Sequence, residues 1–244
     1  MIKVALDQQG DVHRWGVVRQ VDHARLSFDL AERSTLLSGL PDAVKSEVLC
    51  AIDHHDDGWQ ERDLAIEIDL ARNRPRTFDE MTVDEALAIW GGSIARAQGF
   101  GVLSGWTVAG HFAYLATLKN GAERPIGRAW AAEREAARAR WLRDWLALDP
   151  SHRAEHAETA LACLRLFDSL SLYVVGVGLE PQRTLRLPNG QTATVKRLPN
   201  GVYSAEPWFF DRDEVSFDVA GVLVDDTEIV GQWRPTMTFR RDAD

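Results

Sequence analysis

Asp168 lies in the most apolar stretch of the sequence, with Leu164 and Leu161 one and two turns behind it and Leu172 and Val175 one and two turns ahead. At 3.6 residues per turn these positions share one helical face, and a helix with such a face packs inside a fold. An ionised carboxylate on that face needs a cation or several hydrogen-bond donors. The same company surrounds His55, which continues the stripe Val44, Val48, Ala51, Ile52 and is followed directly by Asp56. His23 has Leu26 and Leu30 at i+3 and i+7. Imidazole and carboxylate converging from three helices form the oxygen and nitrogen donor set that borderline or hard divalent metals take, without thiolate. A satisfied core histidine or a buried hydrogen-bond network is the bland reading for any one of them alone.

Around these positions the periodicity predicts helices over 22–38, 42–56, 82 to about 97, 101–119, 127–147 and 151–176. Pro41 suits a first turn, Asp57-Gly58 a stop, and Thr82 with Glu85 a capping box. Residues 59–81 hold Asn73-Arg74-Pro75-Arg76 without a sustained period and read as an ordered, charged loop. Strand-forming runs at 2–6 and 15–21 flank the turn Gln8-Gln9-Gly10-Asp11. After Gly178 two hairpin turns, Pro188-Asn189-Gly190 and Pro199-Asn200-Gly201, alternate with β-branched runs ending in 236–239. The expected fold class is mainly α: a helical bundle with short N-terminal strands over 1–178, then a small C-terminal β-sheet over 179–244.

The composition narrows the function. The 244 residues are 45% hydrophobic and 27% charged, so the chain is neither disordered nor collagen-like. A formal charge of −9 repels a phosphate backbone, so nucleic acid is not the expected partner. Cys50 and Cys163 are too few for a disulfide framework or a thiolate zinc site. No leader-like or membrane-spanning stretch stands out, which sets the expectation of a cytoplasmic protein with a small-molecule substrate, a homo-oligomer being left open.

The order His23, His55-Asp56, Asp168 resembles the HD-domain superfamily, whose metal site is an H…HD…D constellation on a helical bundle. The blocks Gln20-Val21-Asp22-His23-Ala24, His55-Asp56-Asp57-Gly58-Trp59 and Asp168-Ser169-Leu170-Ser171-Leu172-Tyr173 look more closely like those of an uncharacterised bacterial family related to it, over roughly residues 14–215. The resemblance implies an HD-like helical bundle in which His23, His55, Asp56 and Asp168 bind a divalent metal (Mn, Fe, Co, Ni, Zn or Mg). It implies phosphoester hydrolysis, and in some members a di-iron centre that oxidises a small molecule. His111, with Val108, Tyr114, Leu115 and Leu118 about it, occupies the region where dinuclear members supply extra histidines, so a second metal stays open.

Further candidates surround this set. His111 is alternatively a hydrogen-bond donor to substrate or a core histidine. Asp57 either accepts a histidine proton or closes the helix end, and Trp59 either plugs the core beside the site or touches substrate. His54, about 100° round the helix from His55, points elsewhere. Arg72, Arg74 and Arg76 are candidates for phosphate contact, since guanidinium forks match phosphate oxygens. His152-Arg-Ala-Glu155-His156 matches an inverzincin spacing but has no apolar stripe around it, and Ser104 lacks a nucleophile-elbow spacing. The leading expectation is metal-dependent hydrolysis of a small phosphorylated metabolite or nucleotide, with Asp56, His111 and Asp57 serving the chemistry. A di-iron oxygenase and a non-catalytic metal-stabilised binding protein are the alternatives.

Overall fold

The helical periodicities become six α-helices among the described residues, which are 1–9, 12–177, 180–199 and 201–242 of this computed structural model. Gly10 and Asp11 of the first turn, Gly178 and Leu179 at the expected domain boundary, and Asn200 of the second hairpin turn lie outside them. The helices are α1 (Gln20–Glu32), α2 (Asp42–Asp53), α3 (Val83–Phe100), α4 (Val102–Thr117), α5 (Arg124–Leu148) and α6 (Ala154–Val174). The strands are β1 (Ile2–Gln9), β2 (Val12–Val18), β3 (Ile68–Asp69), β4 (Arg74–Pro75), β5 (Gln182–Arg186), β6 (Thr192–Arg197), β7 (Tyr203–Glu206), β8 (Glu214–Asp218), β9 (Gly221–Asp225), β10 (Glu228–Trp233) and β11 (Thr236–Arg240).

About half the chain is helical, in six α-helices, and strands at both ends form sheets as the sequence led one to expect, so the architecture is mixed α/β and not a pure helical bundle. The N-terminal hairpin and a C-terminal hairpin belong to one sheet, in the order β1-β2-β9-β10, with Trp15 opposite Val224. Gly16 and Gly221 make this joint possible, because a Cβ on Gly16 would lie 2.5 Å from the Trp233 ring. A second sheet has the order β5-β6-β7-β11-β8, with β7 and β11 parallel. Its buried residues, among them Leu185, Val195, Tyr203, Phe217 and Phe239, share one core with Ile52, Phe112 and Phe167 of the helical region. Tyr203 Oη donates to Val174 O at the end of α6. Core and sheet therefore run across the division expected at 178/179.

Two helix ends matter for the site. α1 stops at Glu32, not 38, because Thr35 N donates to Phe209 O at 2.8 Å and Ser34 bridges Phe210, drawing the chain towards the C-terminal strands. α2 stops at Asp53, so His55 and Asp56 leave the helix and enter the core from a turn. A single 3-10 turn over Asp57–Trp59 follows and presses against α3. Gly58 N donates to Ser93 Oγ at 3.0 Å, and a Cβ on Gly58 would lie 2.1 Å from Ile89 O.

The glycine is therefore demanded by close backbone approach. Gly58→Ala forces the turn off α3 at a cost of about 1–3 kcal/mol, the usual range for overpacking. The melting temperature should fall by about 2–12 °C, at about 2–4 °C per kcal/mol for a chain of this size. An unchanged melting temperature would remove this explanation of the Gly58 position.

Candidate metal centre

His55 is set by the end of α2, whose last carbonyls have no intrahelical donor. Its Nδ1 meets one of them, Ile52 O, at 2.7 Å. A carbonyl only accepts, so Nδ1 carries the proton, and Nε2 points inward, buried and without a hydrogen-bond partner. His23 on α1 is held in the same way by a different partner. Its Nδ1 lies 2.7 Å from Ser171 Oγ, whose own proton goes to Asp168 O at 2.8 Å. Ser171 therefore accepts from His23, and Nε2 of His23 also faces inward. Ser27, one turn along α1, lies 2.8 Å from Ser171 Oγ and completes this buried set.

The two Nε2 atoms meet the same two carboxylate oxygens. His23 Nε2 is 3.1 Å from Asp168 Oδ1 and 3.7 Å from Asp56 Oδ2; His55 Nε2 is 3.5 and 3.6 Å from these atoms. Donors that share an ion at about 2.1 Å sit about 3.0–3.4 Å apart. The contacts of His23 and His55 with Asp168 Oδ1 have about that spacing, and the donor atoms of the three residues all lie within 4.8 Å of one another. Asp56 stands at the edge of the same group.

Among the described residues, neither Asp56, which is buried, nor Asp168, which is half-buried, pairs with a lysine or arginine, and the groups lying against both carboxylates are imidazoles. Burial disfavours the charged imidazolium of His55, yet the fields of Asp56 and Asp168 raise its pKa to about 9. Burial pushes Asp56 up despite His55 and His23. Asp168 would also be pushed up by burial, but the imidazoles of His111, His23 and His55 hold it well below the usual carboxylate range. The centre calls for positive charge, and a divalent cation fits its donor chemistry.

His23, Asp56, His111 and Asp168 form the floor of a cavity of about 310 Å³. Its walls are apolar: Phe78, Met81, Trp90, Phe112, Leu115 and Leu172. His111 approaches from α4, with Nε2 3.8 Å from Asp168 Oδ2, and burial lowers its pKa to about 4, so it is neutral.

Residues 7–226 match the profile of a family described as a protein of unknown function, DUF3891. The chain belongs to that family. No curated protein and no solved structure matches it. The span shared with DUF3891 holds all four expected ligands and ends in the turn between β9 and β10.

The remaining candidates fall into place around this centre. Trp59 is buried and lines the cavity, with Nε1 lacking a hydrogen-bond partner. Asp57 does not reach the cluster: its Oδ2 lies 3.0 Å from Nδ1 of His54, whose ring stacks on Phe100. Arg72, Arg74 and Arg76 are not among the residues that line the cavity. Glu80 engages Arg72 and Arg74, while Glu67 and Glu85 each lie 3.3 Å from Arg76, so acidic neighbours in the loop and at the start of α3 take up these guanidiniums. His152 stacks on Trp145 with ring centroids 3.9 Å apart, away from the centre. Sequence reasoning gave no role to Ser171, Ser27, Gln20 or Lys119; the first two are legible in hindsight as hydroxyls one helical turn from Asp168 and His23.

Partners that fix a ligating histidine are worth about 10–100-fold in metal affinity. Ser171→Ala should weaken divalent-metal binding by that factor in a chelator-competition titration. His55→Ala, which removes a donor, should weaken it further. Affinity unchanged in Ser171→Ala would show that Ser171 does not set the His23 tautomer.

Proposed function

We propose that this chain is a divalent-metal-dependent hydrolase of a small phosphorylated compound, with a centre of the HD type. The observation that carries the reading is the pair of histidines held with Nδ1 protonated, both turning Nε2 onto the oxygens of Asp56 and Asp168 at the floor of a cavity. His23, His55 and Asp168 would hold the cation, with Asp56 beside them. A bound divalent ion supplies Lewis-acid polarisation of a phosphoryl oxygen and lowers the pKa of water.

The protein groups do the positioning. Asp56 lines the cavity next to both histidines, where its carboxylate orients the attacking water and accepts its proton. His111, neutral and on the same floor, donates a hydrogen bond to an oxygen of the substrate. Ser171 and Ile52 O keep the two imidazoles from rotating, so the centre is organised before substrate arrives.

A second reading, a di-iron oxygenase, draws on Asp168. One of its oxygens faces His23 and His55, and the other faces His111, as a carboxylate shared between two ions would. Metal content separates the readings, two irons per chain with oxygen-dependent turnover belonging to the second. A metal-stabilised binding protein would show the metal and no turnover.

Metal-depleted protein, reloaded in turn with Mn, Fe, Co, Ni, Zn or Mg, should release phosphate from small phosphate esters in the absence of dioxygen. Asp56→Ala should lower that rate by about 100-fold or more, the scale of general acid–base assistance. His55→Ala should lose most bound metal by elemental analysis. Full metal retention in both variants, or turnover seen only with iron and oxygen, would sink the hydrolase reading.

A further inference from the structure

The cavity has a charged floor and walls of another kind. Trp90 and Phe112 stack with centroids 5.3 Å apart and planes 18° from parallel, and both rings line the cavity beside the floor. α4 and its end present His111, Leu115 and Leu118 to the cavity at i, i+4 and i+7, an apolar strip of about 10 Å leading away from the centre. At about 310 Å³ the space is near the lower bound of about 300 Å³ for small-molecule sites.

The polar groups outside the floor are few. Lys119 and Asp79 are the charged lining residues beyond the centre, and they are of opposite sign. Lys119 Nζ lies 5.7 Å from the Trp90 ring centroid and 3.9 Å from Glu123. The loop arginines are held by Glu80, Glu67 and Glu85. A nucleotide polyphosphate brings several negative charges and would find one ammonium and no guanidinium fork. A sugar phosphate brings several hydroxyls, each costly to bury without a partner. Among the described residues, the cavity offers outside its floor one buried, unpartnered donor, Trp59 Nε1, and one such acceptor, Gln20 Oε1, with His111 Nδ1 unpartnered at the floor, which is too few for several hydroxyls.

We propose that the substrate is a small monophosphate ester with an aromatic or comparably apolar body, its phosphate at the histidine–aspartate floor and its ring against Trp90 and Phe112. The nature of the reacting group rests on the hydrolase reading; the nature of the body rests on the walls alone.

The test uses the full chain loaded with Mn²⁺ and two readouts. In calorimetric titrations phenylphosphonate should bind at least about 10-fold more tightly than methylphosphonate, since an apolar pocket discriminates by about 10-fold or more per group filled. Trp90→Ala should reduce that ratio several-fold. So should Leu118→Gln, at a cavity position 53% exposed where the fold does not depend on the side chain. Equal affinities for the two phosphonates, or a ratio unchanged in both variants, would overturn the proposal. In the second readout kcat/KM should be higher for phenyl phosphate than for glycerol phosphate or ATP. Hydrolysis that favours glycerol phosphate or ATP would overturn the apolar body and leave the hydrolase standing. A phenyl preference in binding, with no phosphate ester hydrolysed, would overturn the hydrolase and support the apolar body.

Discussion

One buried and one half-buried carboxylate, Asp56 and Asp168, set among apolar packing with imidazoles as their nearest charged or chargeable neighbours, fix the terms for this fold. Moving one ion of that size out of water costs several kcal/mol even after the protein relaxes. Asp56 and Asp168 carry this cost together, and a repacked apolar interior of the same volume would avoid it. A divalent cation would account for their presence, because such an ion and two carboxylates balance in charge, while neutral imidazoles add donors without adding charge. The raised pKa of His55 expresses the same demand, since the fields of Asp56 and Asp168 favour positive charge at its Nε2.

The rest of the structure serves to hold these groups still. The early end of α2 frees Ile52 O to fix His55, and the placement of Ser171 one turn after Asp168 fixes His23. The β elements contribute as well. Phe78 N donates to Met1 O at 3.0 Å, so the loop that supplies the Phe78, Asp79 and Met81 wall is tied to the N-terminal strand end. That loop is braced internally by Arg62, which lies 2.8 Å from Glu67 and 3.1 Å from Glu85. The sheet shared by the two ends of the chain thus helps to close a cavity whose floor is built by helices.

What the sequence made legible follows from how far each signal reaches. The inward faces of His23 and Asp168 could be read because helical periodicity is local, and the structure puts both where the stripes require. His55 was placed inward for an imperfect reason: the stripe ends at Ile52, and a turn carries the imidazole the rest of the way. The run 222–224 is recognisable as a strand, but not as a partner of β2, because alternation specifies a face and not a neighbour. The arginines of the loop looked free in sequence, since Glu67, Glu80 and Glu85 pair with them only once the loop is folded. The cavity walls come from α4, α6, the loop and α3, and no local pattern could have announced that Trp90 and Phe112 would stack.

The donor set also constrains how substrate affinity can arise. Neither cysteine contributes a thiolate: Cys163 is buried in the core, and burial pushes its thiol up to about 12. On the proposed hydrolase reading, with Asp56 and Asp168 balancing a divalent ion, the floor would present little net charge to a phosphate, and Lys119 is offset by Asp79 in the same cavity. Long-range attraction is therefore weak, and association with the reacting group alone is poor. The apolar walls must supply most of the binding free energy, through surface removed from water at about 25 cal/mol per Å². Binding energy from a non-reacting body is what an enzyme can use to hold a reacting group in place against unfavourable desolvation. On the proposed reading the histidine–aspartate floor and the apolar walls would divide that work, chemistry at one end and recognition at the other.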